Sequence, residues 1–302
     1  MTSYQKGLLY LLLSQIIWGI NPSVLKAVDY AIPVTVVVFL RLVIGSFFLL
    51  TIILLVPQQK RGLSSLSKKD VGSIVFLGII ASGITDLLLT QSVRYSGAII
   101  STLIARLEIP VTVLLAVFLL KEKLTKQIIF ATILSTLGMI FISLSGTISI
   151  ADMSHYYLGL GLAFIAAVLW GYGTILAKNI LSDLNVSPII VTLIRLFTGS
   201  VITFLILLST NRFLLREIIS IPPYDWAKIM FMGVFASAGA FYFYYKGLKL
   251  VPANQASIML SVSIGVNIIV ATGMGEVLHG YQWLGVASII GAVLMLTVKN
   301  KA

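Results

Sequence analysis

The chain contains no cysteine, so neither disulfides nor thiol chemistry are available to it. Its two histidines, His155 and His279, sit on separate connections, which argues against a histidine metal site. There is no Gly-Lys-Ser/Thr phosphate loop, so nothing points to ATP hydrolysis within the chain. Nothing resembles a nucleophile–base–orienter set either, so an enzyme is not expected and no cofactor or metal is implied. Charge is scarce, at 10% of 302 residues, with ten acidic side chains against 21 lysines and arginines. Period-2 alternation is absent, which argues against an outer-membrane barrel.

What is present is apolar. Hydrophobic residues make up 59% of the chain and mean hydropathy is +1.06. A soluble domain of this composition could not cover its surface with polar groups, so the chain reads as an integral membrane protein. Ten apolar runs are long enough to cross a hydrocarbon core of about 30 Å. They are 7–27, 33–56, 71–92, 97–119, 127–146, 157–180, 188–209, 226–248, 253–274 and 281–298. The connections are too short to hold a soluble catalytic domain. The first run has one flanking lysine, Lys6, and no small-residue cleavage site, so it is expected to be retained as a span.

A net charge of +11 raises the question of nucleic acid, but its placement answers otherwise. With a cytoplasmic N-terminus, thirteen basic residues fall on inside segments, most of them in 57–70, 121–126 and the C-terminal tail. Only four fall outside: Lys26, Arg94, Arg212 and Arg216. The positive-inside rule then puts both termini in the cytoplasm. The basic excess serves topology and attraction to anionic lipid at the cytoplasmic face, with no nucleic-acid partner.

The two halves repeat. GLLYLLLSQIIWGINPSVLKAV from Gly7 matches GLGLAFIAAVLWGYGTILAKNI from Gly159, aligning Trp18-Gly19 with Trp170-Gly171 and Lys26 with Lys178. FLRLVIGS matches LIRLFTGS, placing Arg41 opposite Arg195. KDVGSIVFLGIIASGI from Lys69 matches YDWAKIMFMGVFASAGA from Tyr224, placing Asp70, Gly78 and Ser82 opposite Asp225, Gly233 and Ser237. Glu122 falls opposite Glu276. Five runs per half is an odd number, so the second half must enter the membrane from the other side. Inverted repeats of this kind suit alternating access around a shared cavity.

These residues resemble a known family. The Trp-Gly pairs, the arginine in the second run of each half, SVRYSGA and GLKLVPA closing the third, and Glu-x-Leu-Thr before a Gly-rich fifth run are similar to paired EamA domains of the drug/metabolite transporter superfamily. The resemblance covers essentially the whole chain, with a first repeat over 1–150 and a second over 151–302. It implies an all-α membrane protein of ten transmembrane helices around a central cavity. It also implies export of amino acids or other small metabolites across a bacterial or archaeal cytoplasmic membrane. The fourth run departs from the symmetry: Arg106, Glu108 and Pro110 face Val262, Ser263, Ile264 and Gly265, with no charge and no proline. Specificity is expected where the copies disagree.

Charges inside the hydrocarbon are costly, face protein or water, and mark sites. Asp86 lies on a stripe with Gly78, Ser82 and Thr90, and Glu108 on one with Ser101, Ala105, Thr112 and Ala116. Arg106 precedes Glu108 by two residues, roughly 200° around a regular helix, so the two are not expected to face one pocket as a simple pair. Pro110 deprives the Arg106 carbonyl of its helical donor, leaving an acceptor beside the Glu108 carboxylate. A plain kink with an Arg106–Asp86 ion pair is the structural alternative. Arg41 and Arg195 are carboxylate-clamp or gate candidates at mirrored depths, with a snorkelling role as their rival. Trp18 and Trp170 are candidate cavity walls or packing residues. The cluster 241–245 reads mostly as an interfacial belt, with Tyr244 pointing inward, and Asn254 and Ser257 offer neutral hydrogen-bonding groups. Lys26 and Lys178 end their helices and suit gate or interface roles.

The leading expectation is a secondary transporter exporting an amino acid or similar zwitterion, with proton coupling and uniport both compatible. The alternatives are a lipophilic-cation or drug exporter, and a non-transporting lipid-handling or sensor protein. Monomer and homodimer are both compatible with a site enclosed by one chain.

Overall fold

The computed structural model describes residues 1–29, 31–64, 66–96, 101, 104–143, 153–183, 186–209, 214–273 and 280–297. Among them, every regular element is helical. Helix α1 (Ser3–Lys26) starts earlier than the apolar run because Thr2 and Gln5 form a capping box. Helix α2 (Val34–Leu55) follows, then the short α3 (Pro57–Ser64). Helix α4 (Lys68–Gly78), capped by Ser67 and Asp70, continues through a π segment (Ile79–Ile84) into α5 (Thr85–Ser96). Helices α6 (Glu108–Leu120) and α7 (Lys126–Ser143) complete the first half.

The second half repeats the plan. It holds α8 (Met153–Asp183), α9 (Pro188–Ser209) and the short α10 (Leu214–Ile219). Helix α11 (Pro223–Phe231) runs through a second π segment (Met232–Gly239) into α12 (Ala240–Leu248). Helices α13 (Ala253–Met259) and α14 (Val262–Gly273) are separated by a turn at Leu260 and Ser261, and α15 (Gly280–Thr297) ends the described chain. Among the described residues, seven helices are long and apolar enough to cross a membrane; Glu108–Leu120, Lys126–Phe141 and Trp283–Met295 are shorter apolar helices. Large apolar side chains remain exposed around the periphery, among them Phe47, Phe118, Phe130 and Ile290. In water such a surface would aggregate, whereas in lipid it is solvated.

Contacts recur with the halves exchanged. Helix α1 packs on α12 and α14, while α8 packs on α5 and α6. Helix α2 packs on α9 and on the second π segment, while α9 packs on α2 and on the first. The closest approaches are built on glycine. A Cβ at Gly78 would lie 2.8 Å from the backbone oxygen of Arg195, and one at Gly233 would lie 3.0 Å from that of Arg41. Without a hydrophobic drive between helices in lipid, such small-residue contacts let backbones approach and hold the bundle.

The π segments matter because each inserts residues into a helix and disturbs its hydrogen-bond ladder. The Thr85 hydroxyl donates to the Ile80 carbonyl five residues back, at 2.6 Å. On the same segments, the Ala81 and Ala236 carbonyls accept from tryptophans of the opposite half. Trp170 Nε1 donates to Ala81 O at 3.1 Å, and Trp18 Nε1 donates to Ala236 O at 2.9 Å. The doubled Trp-Gly motif thus pins each first helix to the π segment of the other half.

Candidate functional site

Between the halves lies a cavity of about 260 Å³. Both tryptophans line it, as do Arg41, Asp86, Arg106, Glu108 and Arg195. Tyr244 also lines it, with its hydroxyl 3.2 Å from Thr174 Oγ1. At one end, Leu25 of α1 and Val28 and Ile32 of the α1–α2 connection form its wall. The repeat-related Ala177 and Ile180 are buried and do not line it. The cavity is therefore asymmetric between two otherwise matching ends.

Arg106 and Glu108 share the cavity, contrary to the helical-wheel expectation. The reason is local. Arg106 and Leu107 form a turn, and α6 begins at Glu108, so regular 3.6-residue geometry does not relate the two. Nor is the Arg106 carbonyl left free by Pro110, because it accepts from Ile109 N at 3.0 Å. The Nε of Arg106 is buried without a hydrogen-bond partner, and the Glu108 side chain, 7% exposed, receives no hydrogen bond among the described contacts. Two opposite charges with unused bonding capacity therefore face the same space.

Asp86 pairs with Arg41 across 2.5 Å, so the alternative Arg106–Asp86 pair is not formed. Arg195, repeat-related to Arg41, is held quite differently. Its Nε donates to Ser82 Oγ and its Nη2 to Ala81 O, each at 2.8 Å, and its Nη1 donates to the Tyr245 hydroxyl. The guanidinium also lies 3.8 Å from the Phe241 ring centroid, a cation–π contact. Phe241 and Tyr245 line the cavity alongside Tyr244, so the aromatic cluster is less interfacial than its sequence suggests. The second π segment immediately precedes it and upsets the 3.6-residue stripe from which the cluster's faces are read.

Asn254 and Ser257 are buried but lie outside the cavity lining. Ser257 Oγ donates to Asn254 O at 2.8 Å; Asn254 donates its backbone N to Glu122 and its Nδ2 to Lys123 O at 3.4 Å, while its Oδ1 is buried without a partner. Lys178 Nζ donates to the carbonyls of Leu248 at 2.7 Å and Val251 at 2.8 Å, closing the end of α12. The side chain of Lys26 and residue Glu276 lie outside the described residues.

Glu122 is the site-related residue that the candidate set omits. Lys121 adopts a left-handed φ of 55°, which turns the chain after α6. Glu122 then accepts from Ala253 N at 2.7 Å and Asn254 N at 3.0 Å, capping α13. Lys178 and Glu122 thus bracket the α12–α13 turn, one holding its free carbonyls and the other its free amides. The sequence carried a signal for this in the acidic residue repeated at the same place in both halves, Glu122 and Glu276.

The sequence profile of the EamA-like transporter family matches residues 5–144 and again 157–298. The chain belongs to this family. Among EamA relatives, the uncharacterized transporter YetK of Bacillus subtilis is 27% identical over 287 residues, which is 94% of this chain and 84% of that protein. The riboflavin transporter ImpX of Fusobacterium nucleatum is 23% identical over 261 residues, covering 85% of each. One crystal structure, 15% identical, shares the fold with a TM-score of 0.81 over 97% of this chain and 96% of its own. The chain is thus a multi-pass member of a transporter family, helical in every regular element among the described residues.

Proposed function

We propose that this protein is a secondary transporter that exports a small zwitterionic metabolite, an amino acid or a close analogue, across the cytoplasmic membrane by alternating access. The observation that carries the reading is one cavity holding both an unbonded carboxylate, Glu108, and guanidiniums with unpaired donors, Arg106 and Arg41. A ligand with one ammonium and one carboxylate satisfies both kinds of group, and buried charges left unpaired in low dielectric are costly. Glu108 takes the ammonium, beside the Tyr244 and Trp170 rings.

Ten spans in two inverted five-helix repeats, 1–150 and 151–302, are the arrangement we assign. The reciprocal Trp18–Ala236 and Trp170–Ala81 bonds support it, since a two-fold relation exchanges such contacts. We assign both termini to the cytoplasm, with anionic lipid at that face; the distribution of basic residues supports this. On that orientation the Glu122–Lys178 bracket closes the inner end, and the cavity reaches toward the outer end at Leu25 and Val28. Lys178 acts as a gate residue, and Lys26 is assigned the matching place on the outer side.

A lipophilic cation is disfavoured, because Arg41, Arg106 and Arg195 all line the cavity and repel positive charge. The test is flux of the common L-amino acids in proteoliposomes, with and without a proton gradient. Glu108→Gln is expected to lower flux of the transported amino acid by roughly 10–100-fold, since removing one member of a buried charge contact costs a few kcal/mol. If Glu108→Gln leaves binding and pH-dependent flux intact, Glu108 is not the ammonium site.

A further inference from the structure

The two repeat-related arginines differ in what they have left to offer. Arg195 is 3% exposed, with Nε, Nη1 and Nη2 each donating to protein and its face covered by Phe241. Three of its five N–H donors are engaged and one face is stacked, so less of it is left for a ligand than of Arg41. Arg41 has a salt bridge to Asp86 through Nη2, a buried Nε with no partner, and a side chain 16% exposed. The repeat explains the difference. At an offset of 155, Asp86 stands where the second half has Phe241, and Thr90 where it has Tyr245. The acceptors equivalent to Ser82 and Ala81 are Ser237 and the Ala236 carbonyl; the latter accepts from Trp18 as Ala81 does from Trp170, but neither receives a bond from Arg41 among the described contacts. The Phe241 stack and the Tyr245 bond that hold Arg195 are thus not repeated around Arg41. The Asp86 carboxylate stands in for them.

We propose that Arg41 holds the substrate's carboxylate and that Asp86 occupies this place while the cavity is empty. The inference rests on the zwitterion reading above and names the residue that recognises one end of the ligand. A substrate carboxylate engages Arg41 side-on, through Nη2 and the unpartnered Nε, which a single contact to Asp86 leaves unused. Displaced, Asp86 is a second acceptor for the ammonium, beside Glu108. The exchange selects against both half-ligands. A simple carboxylic acid would leave Asp86 charged and uncompensated, and an amide or amine cannot compete with Asp86 for Arg41. Arg195 is by contrast a positioning residue that anchors α9 to the first π segment and α12.

The test is binding of the twenty L-amino acids, their carboxamides and their deaminated acids to the purified full chain, by thermal shift and titration calorimetry. At least one amino acid is expected to bind, with its carboxamide and deaminated acid weaker by roughly tenfold or more. Asp86→Asn removes the internal competitor together with one acceptor for the ammonium, so the deaminated acid should become a ligand, gaining roughly tenfold or more relative to the amino acid. Arg41→Lys should weaken the amino acid by roughly tenfold, as the fork geometry is lost. The double exchange Arg41→Asp with Asp86→Arg keeps an ion pair for folding, and should fold without binding. Restored binding in that variant would mark the pair as purely structural and overturn the proposal. So would an amino acid that binds the wild type yet changes affinity by less than about twofold in both single variants. If none of the twenty binds or is transported, the zwitterion reading itself fails, and this inference with it.

Discussion

Replacing Arg195 with lysine tests whether a buried arginine can be read as structural from its bonds alone. The substitution keeps the charge but loses two of the three directional contacts to Ser82, Ala81 and Tyr245, together with the stacked face on Phe241. Interhelical hydrogen bonds in membranes contribute about 0.6 kcal/mol on average and about 1.7 at most. The desolvated cation–π contact contributes about 0.5–2 kcal/mol. Together the expected loss is about 2–5 kcal/mol, which for a chain of this length lowers the apparent Tm by about 3–8 °C. The matched control is Arg41→Lys, which retains its ion pair with Asp86 and loses about 0.5 kcal/mol, or ~1 °C. Intrinsic fluorescence on heating in detergent reads both, since Trp170 donates to the same Ala81 carbonyl as Arg195. Equal destabilisation by the two substitutions, or none at Arg195, would refute the argument that the repeat-related arginines have divided their roles.

Other expectations follow from the same geometry. Glu122→Gln and Lys178→Met each weaken the bracket on the α12–α13 turn by about 0.5–2 kcal/mol. Because the chain has no cysteine, a single Asn21→Cys in the cavity wall is a clean reporter. Its labelling by a membrane-impermeant maleimide should rise from the cytoplasmic side of oriented vesicles, and unchanged sidedness would remove the bracket as a gate. Gly78→Ala should cost about 1–3 kcal/mol in thermal unfolding, because its Cβ meets Thr198 Cβ and the Arg195 backbone oxygen. Gly72→Ala, with nothing within 4 Å, should be neutral or gain up to about 1 kcal/mol from helix propensity. Stability falling equally at both glycines would mean that close packing is not the cause.

Much of the site was legible before any fold was known. Buried charges in an apolar chain are few, and Arg41, Asp86, Arg106, Glu108 and Arg195 all line one cavity. Trp18, Trp170 and Tyr244 join them there. Asn254 and Ser257 lie outside the cavity lining, since a small polar stripe fits packing as well as binding, and Asn254 N meets the Glu122 cap. Glu122 escaped notice because it lies outside an apolar run, where a carboxylate carries no desolvation signal.

The sequence by itself determined the apolar runs, the doubled plan and the short inventory of charges that lipid would not tolerate. These depend on composition and spacing, which a chain carries in any conformation. Only the tertiary structure decided who meets whom. Arg41 takes Asp86, Arg195 takes Ser82, Ala81 and Tyr245, and Arg106 turns to the same space as Glu108. The physical reason is that a helical wheel presumes an unbroken 3.6-residue period. Two π segments and the turn at Arg106 and Leu107 break that period where the chemistry sits.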